Sequence, residues 1–103
     1  MGKNSDIISI SNSLSITILH EILIEHTNRQ ESVPYLSKEI IEYKGLSIKK
    51  ISKVNLNERD KKKIKDMIIK KINNRLKMKY PDVKVSQKKI NKKVDEELFY
   101  FFE

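Results

Sequence analysis

Asn73-Asn74-Arg75-Leu76-Lys77-Met78-Lys79-Tyr80-Pro81-Asp82-Val83-Lys84-Val85-Ser86 is the segment on which the fold hinges. Before it, Ile64, Ile68 and Ile72 recur at four-residue steps and mark one face of a helix. From Leu76 the pattern changes to alternation, with Leu76, Met78 and Tyr80 on one side and Arg75, Lys77 and Lys79 on the other. Pro81-Asp82 is a turn dipeptide, proline cannot donate in a strand ladder, and Val83-Lys84-Val85 alternates again. The spacing predicts a short β-hairpin over 75–86 with basic side chains on one face. A competing reading keeps 57–80 as one helix that stops before Pro81, because a residue preceding proline is pushed out of the α region. The first gives a mainly α domain with a small β-hairpin, the second an all-α bundle with one long helix.

On the N-terminal side, Asn57 is a good N-cap, and Glu58 and Asp60 complement the dipole of the helix it opens. On the C-terminal side, Ser86 can cap a helix with Ile90, Val94 and Leu98 inside and Lys88, Lys89, Lys92 and Lys93 outside. Leu98-Phe99-Tyr100-Phe101-Phe102 gathers all three phenylalanines, which predicts a tail docked on the core or on another subunit. Nearer the start, helical spacing gathers Ile16, Ile18, Leu19, Ile22, Leu23 and His26 into one arc and predicts a helix over about 15–28. Residues 1–13 are rich in Ser and Asn and read as a loosely held arm, leaving 14–103 as a single basic domain.

Pro34 suits the first turn of a helix carrying Leu36, Ile40 and Tyr43, and Gly45 suits its C-terminal cap. Ser47 can then open a short helix with Ile48, Ile51 and Val54 inside and Lys49, Lys50, Ser52 and Lys53 outside. Gly45-Leu46-Ser47 followed by Ile51 and Val54 resembles the turn of the helix-turn-helix proteins, in particular their winged members. The stretch departs from that pattern at Lys44, where an apolar residue usually precedes the glycine, and at Ile41, where a small residue is usual. The resemblance implies a winged helix-turn-helix fold that binds DNA, with Lys49, Lys50 and Lys53 facing the duplex and the 75–86 hairpin as the wing.

The charge is sharply divided along the chain. Residues 1–43 hold three basic and six acidic side chains, 44–93 hold 19 basic and four acidic, and 94–103 hold four acidic and no basic ones. The total is +8 over 103 residues. A surface chosen only for solubility usually mixes the signs. The chain is rich in Ile, Lys and Asn, holds no Ala and only two Gly, and so points to a low-GC genome. That coding bias does not explain the block, because the acidic ends share it. A basic block of fifty residues attracts polyanions, and duplex DNA is the expected partner. Lys63, Lys70 and Lys77 form a stripe at seven-residue spacing along the predicted helix. With Lys49, Lys50, Lys53, Arg75, Lys79, Lys84, Lys88, Lys89 and Lys92 they make up the expected DNA-binding set.

Other chemistries lack their residues. There is no Cys, so thiolate metal sites and a cysteine nucleophile are excluded. His20 and His26 sit in a stretch that begins like a zincin helix, but six residues place the two rings about 120° apart, and no metal or other cofactor is expected. Gly2 and Gly45 are the only glycines, which leaves no phosphate-cradling loop. No Ser-His-Asp constellation is evident, and the chain reads as a non-enzyme without a small-molecule substrate. The N-terminus lacks a basic stretch followed by a long apolar run, so the expectation is a soluble cytoplasmic protein with no membrane partner. Proteins of this kind act as repressors, partition factors, or origin-binding and conjugative-transfer accessories of plasmids, phages or their hosts, and recognise DNA by sequence or by structure. A homodimer through the first helix or the aromatic tail would supply two half-sites. Two other functions stay open. One is a protein-interaction factor anchored by Phe101 and Phe102; the other is RNA binding, for which Tyr80 is the only aromatic within the main run of lysines.

Overall fold

The computed structural model describes residues 3–26, 31 and 33–102. Four helices account for nearly all of them: α1 (Lys3–His26), α2 (Val33–Ile51), α3 (Glu58–Lys79) and α4 (Gln87–Phe102). No strand occurs among the described residues, so the β-hairpin and the winged architecture are corrected to an all-α bundle. The long-helix reading of 57–80 describes the segment that forms.

Pairwise contacts fix the directions. Lys3 pairs with Asp60 at 2.6 Å, and Ser11 Oγ lies 3.8 Å from Met67 Sδ, so α1 and α3 run parallel. Lys50 donates to Ser13 Oγ at 2.8 Å, while Lys44 lies in the field of Glu21, so α2 runs antiparallel to α1. Lys93 pairs with Glu25 at 3.1 Å and Glu97 meets Glu21, so α4 also opposes α1. Lys65 pairs with Asp95 at 2.6 Å, and Lys61 lies over the Phe102 ring, so α3 and α4 are antiparallel. The chain therefore runs up, down, up and down, and the other three helices all pack on α1.

That central position explains the α1 sequence. Ile7, Ile10, Leu14, Ile18, Leu19, Ile22 and Leu23 are buried, and so are Ser11, Ser13, Ser15 and Thr17. A helix covered on several sides needs no polar face. The hydroxyls of Ser11, Ser15 and Thr17 donate to the carbonyls of Ile7, Asn12 and Ser13 at 2.8, 2.8 and 3.0 Å, so they are satisfied within their own helix. Residues 3–13, expected as a loose arm, form the first three turns of α1. Its C-terminal limit is His26, and residues 27 and 28 of the expected helix lie outside the described residues. By length and composition α1 could cross a membrane, and it is the one such helix among the described residues. Most of it is buried beneath its neighbours here.

The alternation at 75–80 does not make a strand, because α3 already has a core register. Asp60, Ile64, Ile68, Ile72 and Leu76 step down one face and are all buried, whereas Met78 is 81% exposed. Extending that ladder to Leu76 adds backbone bonds and burial at once. The Tyr80 N–H still donates to the Leu76 carbonyl at 3.1 Å, and Pro81 then ends the helix. Asn57 caps the other end in a capping box with Asp60, each side chain accepting from the other's backbone N–H.

Gly45 is not a C-cap; it lies inside α2. Glycine within a helix costs about 1 kcal/mol relative to alanine, less than the burial that continues through Leu36, Ser47 and Ile51. Ser47 is buried and donates to the Tyr43 carbonyl at 2.8 Å, so it bonds back into the helix instead of opening a new one. The helix-turn-helix turn expected at 45–47 is therefore unbroken helix. Ile51 and Val54 pack against the core, but Ile48 is 49% exposed.

Candidate nucleic-acid interface

Residues 70–93 span the last turns of α3, its connection to α4 and the first turns of α4. They hold ten basic side chains and a single acidic one, Asp82. The core register of each helix decides where the lysines go. With Ile64, Ile68 and Ile72 inward, Lys63, Lys70 and Lys77 line the opposite side of α3 and all are exposed. The seven-residue step separates neighbours by about 10 Å along the axis. With Ile90 and Val94 inward, Lys88 and Lys92 form an exposed row on α4, and Lys89 is exposed beside them. Ser86 positions that helix by accepting from the Lys89 N–H at 3.2 Å.

The connection brings the two rows together. Lys77 and Lys84 line one shallow groove with Asn73 and Gln87. Arg75 and Lys79 flank the exposed Met78 on the adjacent side of α3. Lys89 and Lys92 border a second groove with Lys93, His26, Glu25 and Glu96, where carboxylates offset part of the positive charge. Carboxylates neutralise other lysines: from the acidic ends Asp95 takes Lys65 and Glu25 takes Lys93, and within the basic block Glu58 takes Lys61 at 3.3 Å and Asp60 takes Lys3. These four ion pairs involve Lys3, Lys61, Lys65 and Lys93, which are not among the twelve expected DNA-binding side chains.

The structure does not bring all twelve together. Lys49 and Lys50 lie in the last turn of α2 and Lys53 in the turn just after it, with Lys50 at Ser13 on α1. The groove holding Lys89 and Lys92 lies at the level of Ile22 and His26. The axial rise of α1 puts about 15 Å or more between them. Lys50 is also half-buried and committed to Ser13. Arg59 and Lys62 belong to the outer side of α3 and are exposed, yet sequence reading passes over them. Extending the Lys63–Lys70 stripe back by one turn is the signal that finds them.

The aromatic tail is the last turn of α4. Phe101 is buried, and Phe102 is half-buried with the Lys61 ammonium 5.6 Å from its ring centre. Phe99 and Tyr100 point outward, and Lys44 of α2 sits 5.2 Å from the Tyr100 ring centre. The anchor expected at Phe101 and Phe102 is thus turned largely into the core.

A second feature escaped the sequence: Glu21 of α1 faces Glu97 of α4. One oxygen of each, Glu21 Oε1 and Glu97 Oε1, is buried without a hydrogen-bond partner among the described groups. Two carboxylates offer no donor to each other unless one carries a proton. Burial first, then the hydrogen bond to Glu97 and its charge, push the Glu21 carboxyl up to about 7, against the pull of Lys93 and Lys44. Burial alone would lower the Lys93 ammonium, but its bond to Glu25 and the fields of Glu21, Glu25 and Glu97 raise it.

Comparison with protein-family models, curated proteins and solved structures returns no match to this chain.

Proposed function

We propose that the chain is a cytoplasmic, non-enzymatic DNA-binding protein that grips the duplex backbone with the α3–α4 hairpin. The observation that carries this reading is the ten-to-one excess of basic residues over 70–93, eight of them exposed along the end of α3, its connection and the start of α4. Free ammonium groups near phosphates release condensed counterions, and that release supplies most non-specific affinity. Without a wing or a separate recognition helix, backbone contact leads and base reading is secondary. A repressor, a partition factor or a transfer accessory could each be built on such a surface.

Titration of labelled duplex DNA over a range of salt concentrations tests the reading. Replacing Lys77, Lys79 and Lys84 together by Gln should lower the magnitude of the slope of log K against log salt by about 3. An unchanged slope would reject this surface. Tighter binding to single strands or to RNA at the same salt would replace duplex DNA as the partner.

A further inference from the structure

Ile41 is 73% exposed and Ile48 is 49% exposed. They stand seven residues apart on the outer side of α2, with Gly45 between them. A Cβ added at Gly45 would meet nothing within 4 Å among the described residues, so none of them closes over this position. Glycine inside an exposed helix weakens it, and nothing packed within the molecule accounts for one here. The flank of the ridge carries Glu42 and Lys49, also seven apart, and both are exposed.

We propose that this face of α2 is a two-fold interface with a second copy of the chain, the two α2 helices crossing antiparallel at Gly45. The charge pattern selects both the partner and the direction. Ile41 lies four residues before Gly45 and Ile48 three after; Glu42 lies three before and Lys49 four after. An antiparallel two-fold centred on Gly45 therefore sets Ile41 against Ile48 and Glu42 against Lys49, twice over. A parallel two-fold at Gly45 would carry the charged flank across the seam, setting Glu42 against Ile41 and Lys49 against Ile48 with no ion pair. Gly45 at the crossing lets the two backbones approach closely. The alternatives on this molecule are poorer: α1 is covered by its neighbours, and the outer rows of α3 and α4 would oppose like charges. The proposal is independent of what the basic hairpin binds. One face of a 19-residue helix makes an interface at the small end of the range for specific complexes, so micromolar association is expected.

Sedimentation of the full chain from about 1 to 500 μM tests this, with circular dichroism to check that each variant is folded. The wild-type chain should pass from monomer to dimer, and Ile41→Glu should weaken association at least about tenfold. Glu42→Lys and Lys49→Glu should each weaken it several-fold, and the two together in one chain should restore it. Wild-type chain that stays monomeric throughout, a dimer indifferent to Ile41→Glu, or a double charge swap weaker than either single one would each overturn the proposal. Since the swapped positions are exposed, loss of folding does not confound the comparison.

Discussion

Glu21 and Gly45 show how single side chains set conditions on the whole fold. The Glu21 carboxyl titrates near 7 in the folded chain and near its ordinary 4.5 when unfolded. The folded state therefore holds the proton more tightly, and stability falls as pH rises from about 4.5 to about 7. Asp60 acts in the opposite direction: the Lys3 ammonium, then the Asn57 N–H, hold its carboxyl below the usual range, so its contribution is lost in acid. Glu21→Gln should flatten the decline above pH 4.5 and raise the thermal midpoint at pH 8 by a few degrees, because an amide can donate to Glu97 without a proton. A variant with the wild-type pH profile would remove the shared-proton reading. At Gly45, alanine fits without contact and keeps the helix, so Gly45→Ala should stabilise the chain by about 0.5–1 kcal/mol. Urea unfolding at about 0.1 μM, below the expected association range, would read this directly. A C-cap glycine in left-handed geometry would instead be destabilised by alanine, so the sign separates unbroken helix from a turn.

At the scale of elements, the regular ladders were legible and the irregular ones were not. The four-residue steps from Ile64 to Ile72 and the caps at Asn57 and Ser86 could be read off the chain, because each depends on neighbours within one turn. The first turns of α1 could not. Ser9, Ser11, Ser13 and Ser15 look like solvent-facing polar residues, yet three of them are buried, because small hydroxyls can bond back to their own helix and leave room for other helices. The stretch from Leu76 to Tyr80 fits both periods over five residues, and the core contact of Leu76 decides for the helix. The aromatic end of α4 divides in the same way. Phe101 is 9% exposed and Phe99 is 70% exposed, although both are equally apolar in sequence. Phe101→Ala should cost about 3 kcal/mol or more, and Phe99→Ala should leave stability within about 0.5 kcal/mol. Equal losses in chemical denaturation would contradict the assigned face of α4.

Across the whole molecule, the later half of the basic block is gathered at one end of the bundle, while Lys49, Lys53, Arg59, Lys62 and Lys63 are exposed elsewhere. Antiparallel pairing of α3 and α4 folds a basic run back on itself, so residues on either side of Pro81 share one end of the bundle. The same fold spends several acidic residues on ion pairs with Lys3, Lys61, Lys65 and Lys93, and sets Glu25 and Glu96 beside Lys89 and Lys92 in one groove of the hairpin. The three-lysine substitution in the hairpin should therefore change the salt slope far more than Lys49→Gln with Lys53→Gln, at the end of α2 and in the turn after it, elsewhere on the bundle. Comparable losses from both would mean that the protein lies on DNA along its side instead of by its hairpin end.

The amino-acid sequence alone determined where the basic charge lies, where two helices begin, and that thiolate chemistry is absent, since composition and capping are properties of residues and their near neighbours. Which polar residues become core, whether Gly45 and Leu76 interrupt a helix or continue it, and which lysines meet in space were decided only by tertiary packing. Those outcomes depend on contacts between residues far apart in the chain, and burial along a continuous helix face outweighs the small local preferences for turn and strand.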